Sequence, residues 1–234
     1  GAREAPRSTA GEWSDFEHVA AFQPQELTNL LYSFAKANHA AAELFAAAAA
    51  PIAACQRDGR PLLPSWTAQD FCNTLWACCA LDVREYDLNE VCAHALFSRG
   101  LPLDRAHLTQ VQQWLVWWEV ELGRTAPFVD REARRRAREA FASGDEVAGH
   151  TISSLQREVC RALDRLNERY TSEFTTDEGY SVDMAMPQRR VAIEVDGPHH
   201  FTQRGTLTGA TVLKQRQLNA LGWHVVAVTY KEWY

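Results

Sequence analysis

The residues with the most chemical potential lie between positions 183 and 200. Val182, Met184 and Met186 alternate with Asp183 and Ala185, and Val191, Ile193 and Val195 alternate with Ala192, Glu194 and Asp196. Alternation of period two marks half-buried strands, so each segment has one apolar face and one that carries carboxylates. If the two strands turn at Gln188-Arg189 as a hairpin, Asp183 stands opposite Glu194, and Asp196 falls on the same face two residues on. The turn lacks the Asn-Gly pair that a two-residue loop prefers, so the register is an expectation. Opposed carboxylates repel unless a proton, a cation or a metal relieves them, and Asp183 with Glu194 is read as a candidate magnesium pair. Gly197-Pro198 then turns the chain, and His199 and His200 follow as candidate bases or ligands. Adjacent side chains diverge and no third His or Cys stands at zinc spacing, so zinc is not expected.

A second set of candidates precedes these strands. Arg157, Arg161, Arg165 and Arg169 recur every four residues on a predicted helix that starts at a cap chosen among Thr151 to Ser154 and runs to about Tyr170. At that spacing they line one flank. Asp164 and Glu168 lie between them, so the stripe reads either as an exposed, salt-bridged face or as a track for phosphates, which suit the planar guanidinium fork.

The elements that must position these groups divide near residue 150. Leu207–Leu221 reads as a helix stopped by Gly222, with Lys214 and Arg216 on its polar side, and His224–Tyr230 reads as a third, largely buried strand. Before residue 150 the apolar residues recur at three and four, as in Leu27, Leu30, Leu31, Phe34 and Phe71, Leu75, Trp76, Cys79. Laying 26–35 over 70–79 matches acidic, apolar, Asn, Leu and aromatic positions at an offset of 44, and Leu108 to Trp118 repeats the apolar face about 37 residues later. The Ala-rich segment and Asp87 to Phe97 supply the second helices. Stacked helix pairs make an α-solenoid with a concave surface, and an ordinary helical bundle is the alternative. Trp117, Trp118 and Trp233 are available either to the core or to stack on bases. The run Arg131 to Arg138, flanked by Glu132 and Glu139, reads as a solvated linker helix or a phosphate contact.

Composition narrows the function. With 46% apolar and 23% charged residues the chain folds, and its length allows two domains. The net charge of −6 argues against a broad electrostatic grip on a polyanion. Residues 151–234 hold 10 basic and 10 acidic groups, so the whole excess resides in the helical half, with 14 basic against 20 acidic. The six cysteines form no CxxC pair and read as reduced core residues, and no apolar run is long enough to cross a membrane, so no membrane partner is expected. Gly1 in place of Met, with Arg3, Arg7, Ser8 and Thr9 among alanines, reads as a processed or truncated start compatible with organellar import.

Leu27 to Lys36, Leu-Thr-Asn-Leu-Leu-Tyr-Ser-Phe-Ala-Lys, resembles the core of octotricopeptide-type repeats, paired helices of organellar RNA-binding proteins. Such a likeness implies a repeat surface facing RNA. Val191 to Phe201, then Leu207 to Lys214, then Leu221 to Val226 and Trp233, together resemble a RAP domain in order and spacing over about 55 residues. That family is similar in fold to restriction endonucleases, and its members mostly act on organellar RNA, with helical repeats ahead of the RAP domain. The resemblance implies an α+β chain: an N-terminal α-helical repeat, or α-solenoid, then a small α/β restriction-endonuclease-like domain. The expected boundaries are an N-terminal extension over 1–21, repeats over 22–125, a basic linker helix over 126–150 and the RAP domain over 151–234.

A nuclease pattern of this kind needs an acid on one strand and Glu-x-Lys on the next. Asp183 and Glu194 fit the acids and Glu158 fits a helical glutamate, but Asp196 occupies the lysine position, with Lys214 or His199 as substitutes. The resemblance thus implies RNA processing, stabilisation, translation or ribosome assembly without cleavage. The alternatives are a structural component that binds ribosomal RNA in an organellar ribosome, and a magnesium-dependent endoribonuclease. Binding residues are expected among Arg157, Arg161, Arg165, Arg169, Arg189, Arg190, His199, His200, Lys214 and Arg216. The partners expected are organellar ribosomal or messenger RNA and proteins of an RNA-protein assembly. No cofactor is expected beyond magnesium in the nuclease case, and the mitochondrion is favoured over the chloroplast.

Overall fold

Helix starts in the N-terminal half follow their caps. Glu26 reaches back to the Gln23 amide at 3.0 Å ahead of Pro24, Thr67 and Asp70 cap each other reciprocally, and the Asp104 carboxylate accepts from the His107 amide at 3.0 Å. These caps open α1 (Pro24–Lys36), α3 (Ala68–Leu81) and α5 (Arg105–Val116). Between them lie α2 (Ala42–Arg57) and α4 (Tyr86–Ser98), and α6 (Arg131–Ala142) closes the series. The computed structural model describes residues 22–57, 65–84, 86–143 and 153–234. The expected extension over 1–21, the end of the linker over 144–150, and Thr151-Ile152 lie outside the described residues.

Helices α1, α3 and α5 lie side by side, with α4 against α3 and α2, and α6 against α5. Their first residues, 24, 68 and 105, reproduce the offsets of 44 and 37. The arrangement is a stack of helix pairs. Leu31, Phe45, Phe71, Leu75, Leu88 and Trp114 are fully buried in its core, each stabilising the fold by about 1.5–3 kcal/mol. Trp117 and Trp118 are also core residues; their indole N–H groups donate to Asp82 at 2.9 Å and to the Thr125 carbonyl at 3.1 Å. They sit at the π-helical turn Trp117–Glu121 and present no stacking surface to a base.

The arginine-rich α6 is solvated on one face, where Arg131, Arg135, Arg136 and Arg138 are exposed, and packed on the other. Ala137 is fully buried, and Arg134 pairs with Glu119 at 2.7 Å while donating to the Val129 and Ala126 carbonyls. Arg135 is held by Glu132 and Glu139 at 2.6 Å each, on the exposed side.

The C-terminal half is a four-stranded sheet with a helix on each face. Helix α7 (Ser154–Arg165), capped by Ser153, leads into β1 (Thr171–Thr175), β2 (Ser181–Met186) and β3 (Val191–Asp196). Then α8 (Gly209–Ala220) crosses over to β4 (His224–Thr229), which runs parallel to β3, and α9 (Tyr230–Trp233) ends the chain. The sheet order is β1-β2-β3-β4, with the first two pairings antiparallel.

Several sequence expectations shift. The α7 helix stops at Arg165 because Asn167 turns left-handed (φ 55°), so it falls short of Tyr170. Strand β1 has no period-two signal in the sequence, because Thr-Ser-Glu-Phe-Thr has one apolar residue and lies at the sheet edge. The β2–β3 turn is a 3-10 turn over Pro187–Arg189 with Arg190 left-handed. Strand β4 is the opposite edge and half exposed rather than largely buried.

The two halves share an interface built on α8. Leu213 is fully buried in the core of the helical half, and Arg216 binds Glu121 at 2.7 Å, the Ala80 carbonyl at 3.2 Å and the Cys79 carbonyl. Gln217 donates to the Gln113 carbonyl at 2.7 Å and accepts from the buried Tyr180 hydroxyl. Arg216 thereby satisfies the Ala80 carbonyl, which α3 leaves orphaned at its end, and shares the Cys79 carbonyl with the Asp82 amide. Cys72, Cys78, Cys79 and Cys92 are buried thiols.

Candidate nucleic-acid interface

Because α1, α3 and α5 stand in register, residues at equivalent repeat positions meet. Asn73 donates to Asn29 at 3.3 Å, and Gln110 donates to Asn73 at 3.2 Å, over separations of 44 and 37 residues. One turn further, the Tyr32 and Trp76 rings lie 4.9 Å apart, and the Trp76 indole donates to Gln113 at 2.8 Å. These six side chains line a groove of about 900 Å³ across the three helices, with Arg105 on its wall. Asn73 and Trp76 are buried and serve to hold the others in place; the groups that face outward are the exposed Asn29 and the half-buried Tyr32, Gln110 and Gln113. Their amides carry donors and acceptors and the Tyr32 ring offers a face, so the surface can stack on and hydrogen-bond an unpaired nucleobase. Sequence reasoning did not single these residues out as a site, although the signal was present: Asn29 with Asn73 and Tyr32 with Trp76 are matched pairs of the internal repeat.

The carboxylate cluster forms as the alternation predicts. Pairing of Met184 with Ile193, extended by one residue, sets Asp183 opposite Glu194. Met184, Met186, Ile193 and Val195 face α7, and the acids face α8. Each acid has a protein partner. Asp183 accepts from the Val195 amide at 2.7 Å, Glu194 pairs with Lys214 at 2.6 Å, and Asp196 accepts from Gln215 at 3.1 Å. Glu194 and Asp196 are almost fully buried, and the second Glu194 oxygen, Oε1, has no hydrogen-bond partner among the described residues. Burial pushes the Glu194 carboxyl up to about 7 against the opposing pull of Lys214, and burial likewise raises Asp183 and Asp196.

The lysine missing from β3 is thus supplied by α8. Glu158 is not part of this cluster: it lies on α7, across the sheet, and accepts from Trp233 at 2.9 Å and Tyr234 at 3.3 Å. His200 sits 3.1 Å from Thr211 and 3.3 Å from Asp196, and burial lowers its imidazole to about 4, so it is neutral at pH 7. His199 is exposed. Among the described residues no three His, Cys, Asp or Glu side chains are grouped to hold a metal ion. One oxygen of each acid is turned to an amide, a lysine or a glutamine.

The expected RNA-contacting cations are scattered. Arg157, Arg161 and Arg165 share the exposed flank of α7, whereas Arg169 lies past the helix end and leaves the stripe. Arg189 pairs with Glu168 at 3.1 Å on the surface, and Arg190 donates to the Leu221 carbonyl and lies 4.8 Å over Trp223. Lys214 belongs to Glu194 and Arg216 to the interface between the halves.

Comparison with known proteins agrees with this fold. Over 82 residues the chain is 40% identical to a RAP domain-containing protein, chloroplastic, of Oryza sativa subsp. japonica. The match covers 35% of this chain and 13% of that relative, so the chain spans a minor part of the relative's length. Residues 193–234, which run from β3 through the Lys214-bearing helix to the C-terminal aromatic pair, match the family model for the RAP domain, and the chain therefore carries a RAP domain behind its stacked helices.

Proposed function

We propose that this chain is an organellar RNA-binding protein that receives single-stranded RNA along the groove of α1, α3 and α5, and acts in RNA processing, stability, translation or ribosome assembly without cleaving its target. The observation that carries the reading is the register of Asn29, Asn73 and Gln110 beside Tyr32, Trp76 and Gln113. A RAP domain, generally an RNA-binding domain, supports it. The relative's chloroplastic name supports an organelle and gives the mitochondrion no preference.

The excess negative charge of the helical half and the single arginine lining the groove favour recognition through bases, with phosphates contacted elsewhere. In this reading Arg157, Arg161, Arg165, Arg169 and His199 supply those contacts. Engagement of Asp183, Glu194 and Asp196 by protein groups supports a scaffold rather than a cleavage centre.

The test is titration of fluorescent single-stranded RNA with the wild-type chain, Tyr32→Ala and Asn29→Ala. Losing one stacked base weakens binding by roughly 5- to 150-fold. Tyr32→Ala should fall in that range, and both variants should keep the wild-type circular dichroism. Two folded variants with unchanged affinity would sink the groove as the binding surface.

A further inference from the structure

Beside the groove, on the same helix, lies a second cleft that joins the two halves. Ser33 is one turn beyond Asn29 and donates to its carbonyl at 2.7 Å, and from Ser33 the wall continues through Phe34 and His39 at the end of α1. The opposite wall is the loop of residues 202–206 from the RAP domain, and the volume enclosed is about 680 Å³.

Both walls are preformed. Asn38 is left-handed (φ 51°), and the His39 amide bonds the Phe34 carbonyl at 3.0 Å, which brings the His39 ring to 5.4 Å from that of Phe34. The loop is closed by a Thr202 amide to Thr206 carbonyl bond of 2.7 Å and by paired Thr202 and Thr206 hydroxyls. Lys231 pins it by donating to the Gly205 carbonyl at 2.9 Å while lying 4.3 Å over the Phe201 ring. Arg204 is exposed at the tip of this loop and lines the cleft. Its guanidinium makes no hydrogen bond or ion pair among the described residues. An aromatic pair, hydroxyls and a cation on a rigid loop together match one nucleotide: a base to stack, a ribose and a phosphate.

We infer that this cleft is a further nucleotide station, shared by the first repeat and the RAP domain, at which an RNA strand leaving the α5–α3–α1 groove stacks one more base on Phe34 and His39 and places its phosphate on Arg204. The inference rests on the groove reading. It gives the docking of the two halves a role in recognition, because the RAP loop completes a path begun on the repeats.

The test uses the full chain and oligouridylates and oligoadenylates of about three to about eight nucleotides. Phe34 is left intact because it packs against the core; the variant is the exposed double substitution His39→Ala with Arg204→Ala. The wild-type affinity should climb with length to a plateau. The double variant should weaken the longer probes by roughly 5- to 150-fold, bind the shortest as wild type does, and reach its plateau one nucleotide earlier. If it matches the wild type at every length while Tyr32→Ala still weakens binding, the cleft holds no nucleotide and the groove reading stands. A wild-type chain that binds none of the probes overturns both.

Discussion

Gly209 opens α8 where that helix meets the end of α1. A Cβ built on it falls inside the Ala35 carbonyl oxygen and 2.9 Å from the carbonyl carbon, both of them backbone. Its φ is not left-handed, so alanine suits the local backbone, and helix propensity taken alone favours Gly209→Ala by up to about 1 kcal/mol. Packing opposes it. Ordinary Cβ contacts lie at 3.4–4 Å, so α1 and α8 must part by more than about 1 Å, a gap that forfeits about half or more of the dispersion energy across it. The groups affected include the fully buried Leu213 and the Gln217 contacts with Gln113 and Tyr180. Overpacking of this kind costs about 1–3 kcal/mol, and in a chain of this size each kcal/mol moves Tm by roughly 2–4 °C. Thermal unfolding followed by tryptophan fluorescence should show Gly209→Ala melting roughly 2–12 °C below wild type. A variant as stable as wild type, or more stable, would refute the close docking of the RAP domain on α1.

Three further outcomes concern the interface arginine and the buried groups of the sheet. Arg216→Ala leaves the mostly buried Glu121 without its cation and should destabilise by about 3 kcal/mol in denaturant titrations, with Glu121→Gln restoring part of the loss; additive effects of the two substitutions would contradict the pairing. Glu194 is raised to about 7, so the folded chain holds that proton more tightly than the unfolded chain does. Its contribution to stability is present at acid pH and falls as pH rises from the ordinary glutamate value through about 7. Glu194→Gln should remove this part of the pH dependence, and an unchanged profile of stability against pH would count against the burial argument. His200, lowered to about 4, acts oppositely: its contribution is present above the ordinary histidine range and is lost as pH falls through about 4, so His200→Gln should gain relative to wild type at acid pH.

Much of this architecture is legible in the sequence because it is local. The offsets of 44 and 37 come from repeated side-chain types on single helices, and the Asp183–Glu194 register follows from period-two alternation on two strands. What alternation cannot convey is how the carboxylates are relieved. Lys214 reaches Glu194 from a helix 20 residues away, and the Val195 amide turns to Asp183 only where backbone pairing ends. Arg216 looks like a surface cation on a polar helix face; its role at the interface depends on Glu121 and on α3 carbonyls more than 90 residues away. Glu158 fits a helical glutamate only through the resemblance to a nuclease pattern, and α7 packs on the apolar face of the sheet, away from the acids. Strand β1 is specified by its partner β2 more than by its own polar residues.

The central claim is that RNA lies on the repeat-equivalent positions of α1, α3 and α5. Ultraviolet crosslinking of the full chain to single-stranded RNA, with the modified peptides located by mass spectrometry, tests it most directly. The account predicts nucleotide adducts on the segments bearing Tyr32 and Trp76. Adducts confined to the α7 flank or to the sheet, with none on α1 or α3, would contradict it.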